Sequence, residues 1–125
     1  NNNLTQANLS GTNLSRANLS GAILRYANLK YAFLFETNLT NADLNGADLT
    51  GTFLSKANLS NANLAETDLM GSNLSRANLS KANFKNAILI DANFTDANLT
   101  GADLSGADLS GATFQGACLI STIGL

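Results

Sequence analysis

Large apolar residues recur at every fifth position along this chain, and the residues around them repeat with the same period. Steps of five from Leu104 meet an unbroken series that runs from Leu4 to Leu119. The series has 24 members: 21 are Leu, and the other three are Phe84, Phe94 and Phe114. One period that holds over a whole chain indicates a repeat architecture.

Each five-residue unit has the same order of small, polar and large apolar positions. With the large residue as the centre, position −2 is Ala in 18 units, and position −1 is Asn in 13 and Asp in five. Position +1 is Ser or Thr in 14 units, and position +2 is Gly in nine. The unit is therefore A-(N/D)-L-(S/T)-X, with X at position +2.

A period of five fits neither an ordinary helix nor a long strand. An amphipathic helix needs apolar residues at i, i+3, i+4 and i+7, and a strand alternates with a period of two. The pattern instead predicts short extended A-(N/D)-L pieces, with Ala and Leu pointing inward, joined by corners where Gly supplies backbone freedom. Successive pieces that turn the same way form a coil, and coils stack at about 4.8 Å.

This unit resembles the consensus of the pentapeptide repeat family, A(D/N)LXX, over residues 2–121. The resemblance implies an all-β fold: a right-handed, four-sided (quadrilateral) parallel β-helix, or solenoid, with four pentapeptides per coil and about six coils. The chain resembles the short members of the family that are found in cyanobacteria. We expect one pentapeptide-repeat domain over 1–125, with 122–125 as a C-terminal cap.

Spacing along the chain supports four sides only in part. Residues 20 apart should lie in adjacent coils, and both Phe33 with Phe53 and Phe94 with Phe114 have that spacing. Charged residues do not establish the number of sides, because opposite charges recur at spacings of both 15 and 20. Faces one to four are defined here by the centres 4, 9, 14 and 19, each continued in steps of 20.

The composition of the chain argues against an enzyme. It has no His and no Trp, so it lacks a Ser–His–Asp or Cys–His arrangement, and zinc-ligand spacing is absent. We expect no catalytic residue, no cofactor and no metal. A net charge of −2 argues against direct nucleic acid binding, and no apolar run is long enough to expect a membrane partner. We expect a soluble, cytoplasmic protein; the periplasm or thylakoid lumen would suit a processed chain.

Function is then expected on the outward columns, and aromatic residues mark one candidate surface. Five aromatic residues depart from the core pattern, all between positions 26 and 53, with basic neighbours. We call this set the aromatic–basic surface: Ile23, Arg25, Tyr26, Lys30, Tyr31, Phe33, Phe35 and Phe53. Exposed aromatic and basic side chains can mark a protein partner's site. The alternative is that Phe33 and Phe53 only stack on each other along their face.

Faces one and two carry most of the acidic residues. This acidic face comprises Asp43, Asp48, Glu66, Asp68, Asp91, Asp103 and Asp108. Some pentapeptide repeat proteins inhibit DNA gyrase by resembling DNA, so the resemblance raises a DNA-mimicking inhibitor or protector of gyrase as an alternative function. The competing interpretation is that Asp and Asn are interchangeable at position −1.

Face four carries an uninterrupted column of Asn with Ser or Thr two residues on. Flat polar arrays occur on ice-binding solenoids, which makes ice binding a remote alternative, but stacked Asn side chains that stabilise the coils explain the column better. Our prediction is a non-enzymatic scaffold with an unknown protein partner.

The C-terminal coil holds two departures from the repeat. Cys118, the only cysteine, replaces Asn or Asp at an outward position and is interpreted as a neutral surface substitution, with an intermolecular disulfide as the alternative. Gly124 stands where the next centre belongs, among the apolar residues Ile120, Ile123 and Leu125. We expect 120–125 either to fold over the last coil as a cap or to mediate end-to-end self-association through that coil.

Overall fold

The computed structural model of the chain describes residues 2–125, and within them the backbone forms no helix and no continuous strand. Each pentapeptide instead contributes a single β-bridge residue, always at position −1, followed by a two-residue turn at +1 and +2. The bridge residues run in steps of five from Asn3 to Ile123.

Every bridge joins residues that are 20 apart, in parallel orientation. Asn3 pairs with Ile23, Asn8 with Asn28, and the series continues without a gap to Asp103 with Ile123. The chain therefore returns to the same column after four pentapeptides, which confirms the predicted stacking interval.

The interior is a narrow column of small and large apolar side chains. Positions −2 and 0 are buried from Leu19 to Leu104, nearly all with about 1% exposure or none, whereas position −1 faces outward. Phe84 and Phe94 replace Leu without opening the core; their rings meet edge to face, 6.1 Å between centroids. Phe94 also stacks on Phe114 at 4.9 Å, as their spacing of 20 predicts. The inward alternation of Ala and Leu is confirmed.

Every corner needs a left-handed residue. All 24 residues at position +2, glycine or not, have φ between 55° and 73°. The amide of the next unit's position −2 donates to the carbonyl of the centre, as Ala7 does to Leu4 at 3.0 Å. A four-residue turn with positive φ only at its third residue is a type II turn, for which Gly is preferred. This requirement explains why Gly recurs at position +2.

The outward Asn and Asp side chains complete the backbone hydrogen bonding. Amides at −1, 0 and +2 pair with neighbouring coils, and the amide at −2 pairs within the turn. The remaining amide, at +1, donates to the Oδ1 of its own Asn or Asp at −1, as Ser20 does to Asn18 at 3.1 Å. Several hydroxyls at +1 bond the same oxygen, as Thr40 Oγ1 does to Asn38 at 2.7 Å. Both residue preferences therefore follow from backbone satisfaction.

Residues 120–125 continue the coil and do not fold across its end. The Ile123 amide donates to the Ala102 carbonyl at 3.0 Å, and the Ile123 carbonyl accepts from the Leu104 amide at 2.8 Å. Ile120, Ile123 and Leu125 remain exposed, at 67%, 54% and 63%. The folded-over cap expected for 122–125 is therefore not the arrangement found, because Ile123 holds the next ladder position on face one.

Candidate protein-interaction surfaces

The aromatic–basic surface spreads over three faces of the coil and the corners between them. Phe33 and Phe53 lie in the outward column of face three, with rings stacked at 4.9 Å and 7° between planes, and 45% and 43% of each residue exposed. The predicted stacking occurs, and the pair still presents a continuous aromatic surface to solvent.

Phe35 is less exposed than expected. We expected it beside Phe33 and Phe53 as a substantially exposed ring, but it is half-buried. The cations of Arg16 and Lys56 lie 5.9 and 5.7 Å from its ring centroid, in the coils before and after it. Phe35 thus serves as a cation–π platform for two neighbours rather than as a free contact.

Tyr26 and Tyr31 occupy the two corners that border face two, and both are more than half exposed. Each has left-handed φ, and each ring leans over the corner of the next coil, where Gly46 and Gly51 stand. A Cβ on Gly51 would lie 2.7 Å from the Tyr31 ring. The two large corner residues therefore depend on glycine 20 residues on.

The basic members of this surface form ion pairs with acids 18 residues further along the chain, two positions short of one full coil. Arg25 Nη1 lies 3.0 Å from Asp43 Oδ2, and Lys30 Nζ lies 3.5 Å from Asp48 Oδ2. The hydrogen bond to Asp43 and the charge of its carboxylate raise the pKa of Arg25. Ile23 is half-buried in the outward column of face one, where it pairs with Asp43.

The acidic face is partly neutralised, and its aspartates have structural roles. Lys85 pairs with Asp103 at 3.6 Å, as Arg25 and Lys30 pair with Asp43 and Asp48. All five acids at position −1 accept a hydrogen bond from the amide two residues on, as Asn does elsewhere. Glu66 and Asp91 differ, because they stand at corners with left-handed φ.

Two aspartates have lowered pKa values as a result of this bonding. The Ser105 hydroxyl and then its amide lower the pKa of Asp103, with Lys85 adding to the effect and burial opposing it. The Ser110 hydroxyl and amide lower the pKa of Asp108 in the same way. Both carboxylates are held in the charged form by the turns that they cap.

The asparagines of face four bond to their own turns rather than to one another. Within residues 2–125, amide bonds along a column occur instead on face one, where Asn63 donates to Asp43 at 3.1 Å and Asn83 to Asn63 at 3.3 Å. The predicted amide ladder therefore exists on a different face from the one expected.

Cys118 takes the place of an Asn in the turn. Its Sγ lies 3.3 Å from Thr100 Oγ1, and hydrogen bonds from that hydroxyl and from the Ile120 amide lower the pKa of the thiol. The residue is half-buried. Sulfur here substitutes for the usual amide oxygen, which fits a surface substitution that the turn tolerates.

Sequence reasoning missed the apolar residues on face two. Met70 and Ile88 are 41% and 38% exposed, and Ile90 lies beside them, 20 residues after Met70. The signal was available, because all three stand where Asn, Asp, Ser or Thr prevails.

The part of the chain that the structure describes offers no concave site. No pocket opens on residues 2–125, and no three metal-ligating side chains converge there. No helix in this range could span a bilayer.

The pentapeptide repeats family model matches residues 3–41, 37–76 and 77–116, with eight copies. The crystal structure of a pentapeptide repeat protein, Rfr23, from the cyanobacterium Cyanothece is 35% identical to this chain, with a TM-score of 0.73, and the match covers 97% of this chain and 90% of that one. No curated protein matches.

Two further solved structures align at lower similarity. HetL, from Nostoc, described as involved in heterocyst differentiation regulation, is 31% identical over 97% of this chain and 71% of its own, with a TM-score of 0.34. QnrB1, a plasmid-mediated fluoroquinolone resistance protein, is 20% identical over 94% and 74%, with a TM-score of 0.38. At these TM-scores neither structure bears on the role of this chain.

Pentapeptide repeat proteins form right-handed quadrilateral β-helices and are generally non-enzymatic scaffolds, as the resemblance implied. The repeats, the 20-residue stacking and the matched family model agree over nearly the whole sequence. This chain belongs to the pentapeptide repeat family.

Proposed function

We propose that this chain is a non-enzymatic rod of six coils that binds a protein partner through the aromatic–basic surface. Phe33 and Phe53 carry the proposal. They occupy position −1, where the usual Asn or Asp would cap the turn, and nearly half of each residue is exposed.

Aromatic rings at these two positions destabilise the rod, and nothing in the fold alone requires them there. A phenyl group cannot accept the hydrogen bond from the amide at +1, so Phe33 and Phe53 leave the amides of Phe35 and Ser55 without the cap that Asn provides elsewhere. Exposing two stacked rings to water is also unfavourable. A partner that covers the pair offsets both costs, and buried aromatic residues are frequent anchors of protein interfaces.

The charges around the rings favour a protein partner over a nucleic acid. Arg25 and Lys30 are each held by an aspartate of the same rod, so they present no row of free cations for phosphates. Lys56 and Arg16 flank Phe35 at the rim of the aromatic surface. An apolar centre with a charged rim is the usual anatomy of a protein interface.

The experiment compares the wild-type chain with Phe33→Asn/Phe53→Asn as baits in a pull-down from the native organism. Asn is the commonest residue at position −1 and restores the cap, so the double variant should stay folded. We expect the retained partner to be lost from the double variant but kept by Asn73→Ala/Asn93→Ala, a control farther along face three. Equal retention by all three baits would assign the rings to stacking alone.

A DNA-mimicking role at gyrase is the alternative that the acidic residues raise, and it has less support. Three of the seven acids are ion-paired, and five cap their own turns. A gyrase supercoiling assay with this protein at micromolar concentration tests it. We expect supercoiling to proceed unchanged, and inhibition would replace the present proposal.

End-to-end association through the last coil is a second, smaller part of the proposal. Ile120, Ile123 and Leu125 are exposed there, beside Cys118. Deletion of 121–125 should leave any such association measurably weaker in light scattering under reducing conditions.

A further inference from the structure

The corner beside the phenylalanine pair carries two cations that no carboxylate of the described residues neutralises. Arg16, Glu36, Lys56 and Arg76 occupy position +2 of face three in four successive coils, and all four are exposed. Arg16 pairs with Glu36 at 3.2 Å, whereas Lys56 and Arg76 have no ion pair within residues 2–125. Two free cations therefore lie next to each other at the edge of the aromatic–basic surface.

These two cations belong to adjacent coils. The Lys56 amide donates to the Ser75 carbonyl at 3.0 Å, so the corner of Lys56 stacks on that of Arg76. Parallel strands are about 4.8 Å apart, and like charges at directly opposed positions destabilise a sheet. Asp96, the next residue in the column, leans over Gly116 in the following coil and does not neutralise Arg76. An anion from outside the chain that contacts both cations would relieve their repulsion.

Contacts with Phe35 direct the cations of this corner toward face three. The Lys56 ammonium lies 5.7 Å from the centroid of the Phe35 ring, and the Arg16 guanidinium lies 5.9 Å from it. Phe35 stands two residues after Phe33, at the next outward position of the same face. The corner cations are therefore held beside the stacked rings.

Charge on the rest of the rod has the opposite sign. Over these four coils, face three and its two corners hold three cations and one anion, because the other corner carries only Tyr31 and glycines. Of the seven cations and nine anions in the sequence, four and eight then remain elsewhere. An acidic ligand is attracted to this side of the rod and repelled from the others, which favours one docking site.

We infer that the partner of the aromatic–basic surface is an acidic protein segment, an inference that rests on the function proposed above. An apolar side chain of the segment covers Phe33 and Phe53, and an Asp or Glu beside it lies between Lys56 and Arg76. The apolar contact supplies most of the affinity, because exposed ion pairs contribute little individually. The two cations determine which apolar segments are accepted and increase their association rate.

A nucleic acid fits this surface less well. Stacked rings can bind bases, but a strand that follows the rod needs a row of cations for its phosphates. In this column Glu36 precedes the two free cations and Asp96 follows them. One or two carboxylates match two adjacent cations, whereas a regular chain of phosphates does not.

Selection from a phage-displayed library of random dodecapeptides tests the inference. The library is panned on the wild-type chain, and each enriched peptide is then measured on Phe33→Asn/Phe53→Asn. We expect the peptides that this variant fails to bind to contain apolar residues together with more Asp and Glu than Lys and Arg. Their association rate should fall as salt is raised, because attraction between exposed charges is screened.

Lys56→Asn/Arg76→Asn isolates the contribution of the two cations. Asn adopts the same left-handed φ at position +2 elsewhere in the chain, so the variant should stay folded. It should bind the acidic peptides about fivefold more weakly and lose most of the salt dependence. Lys81→Glu is the control, because it changes the net charge by the same amount at the far corner of face four. This control should bind the peptides as tightly as the wild type.

Three results would overturn the inference but leave the aromatic–basic surface as a binding site. The first is a set of phenylalanine-dependent peptides with no excess of acidic residues. The second is acidic peptides that bind Lys56→Asn/Arg76→Asn as tightly as the wild type. The third is oligothymidylate that binds the wild type more tightly than the peptides and binds neither double variant, which would identify a nucleic acid surface.

Failure of the function proposed above has a different signature. Every enriched peptide would then bind Phe33→Asn/Phe53→Asn as well as it binds the wild type, or no peptide would be enriched. Either result would contradict that function, and this inference with it.

Discussion

At the scale of single residues, hydrogen bonding explains more of this sequence than hydrophobicity does. Asn or Asp at position −1 and Ser or Thr at +1 look like indifferent surface choices, yet one caps a backbone amide and the other often bonds that cap. The sequence alone did not reveal this role, because an outward polar residue looks the same whether or not it is bonded. The exceptions, such as Phe33 and Ile88, are therefore the informative positions.

Ser72 provides a residue-scale prediction. It occupies position −2, is buried to 1% exposure, and its Oγ has no hydrogen-bond partner. Thr67, at the same position one unit earlier, donates to the Leu64 carbonyl at 2.7 Å. Ser72→Ala should raise the free energy of unfolding by about 1 kcal/mol, because it removes a buried unsatisfied hydroxyl.

Chemical denaturation of Ser72→Ala and of Thr67→Ala measures the contrast. The second variant should be less stable than the wild type, because it loses a satisfied hydrogen bond and a methyl group. A destabilised Ser72→Ala would mean that this hydroxyl has a partner after all.

The two aspartates with lowered pKa values give a pH prediction. Their pKa values are below the ordinary 3.8, so the unfolded chain takes up protons first as the pH falls. The stability that these carboxylates confer is therefore present above pH about 4 and is lost as the pH falls through the folded pKa values. The melting temperature should fall accordingly in acid.

Asp103→Asn/Asp108→Asn isolates that contribution. Asn keeps the Oδ1 acceptor but does not titrate, so the melting temperature of the double variant should depend less on pH between about 5 and 3. A pH dependence as steep as that of the wild type would assign acid sensitivity to other groups.

At the scale of the element, the pentapeptide is a type II turn with one inward pair of side chains. The period of five, the inward Ala and Leu and the need for Gly at corners were all predictable from the sequence, because each is repeated many times. The left-handed conformation of all 15 non-glycine corner residues was not, since residues such as Lys56 or Arg76 carry no sign of positive φ in their chemistry. The stacking imposes that conformation on them.

Substitutions at two glycines in this corner position distinguish the cost of backbone strain from the cost of a side-chain contact. Gly71 has φ of +67° and open space around an added Cβ, so Gly71→Ala should cost about 1 kcal/mol from backbone strain alone. Gly51→Ala adds a contact with the Tyr31 ring at 2.7 Å and should cost more. Thermal denaturation of both variants measures the difference.

Replacing Tyr31 with Asn should remove the excess cost at Gly51. In that background, Gly51→Ala and Gly71→Ala should destabilise the chain equally. An unchanged excess would show that the ring does not confine Gly51.

At the scale of the whole molecule, ladders at intervals of 20 residues align equivalent positions of successive coils, so the residues at those positions together form a face. The sequence indicated these columns but did not settle them, because charges pair at spacings of 15 and 20 alike. In the structure, ion pairs join residues 20 apart, as Arg16 with Glu36, or 18 apart, as Arg25 with Asp43. Long side chains contact the adjacent coil at an offset of two positions, and the repeat pattern alone does not predict this offset.

The candidate surfaces depend on this geometry to different degrees. Phe33 and Phe53 could be paired from their spacing alone, whereas the half-burial of Phe35 depends on cations from two neighbouring coils. The apolar residues Met70, Ile88 and Ile90 come from two coils, and only the four-sided path places them on one side.

Every surface discussed depends on the division between inward and outward positions, and one pair of neighbouring substitutions tests it directly. Leu74 is fully buried, and Asn73 faces outward with its Oδ1 bonded to the Ser75 amide at 3.0 Å. Leu74→Asp should unfold the rod, because it buries an unpaired carboxylate. Asn73→Asp keeps the acceptor, so its free energy of unfolding should be within about 0.5 kcal/mol of that of the wild type. If thermal unfolding showed both variants equally stable, or Asn73→Asp the less stable, the assignment of core and surface would be wrong.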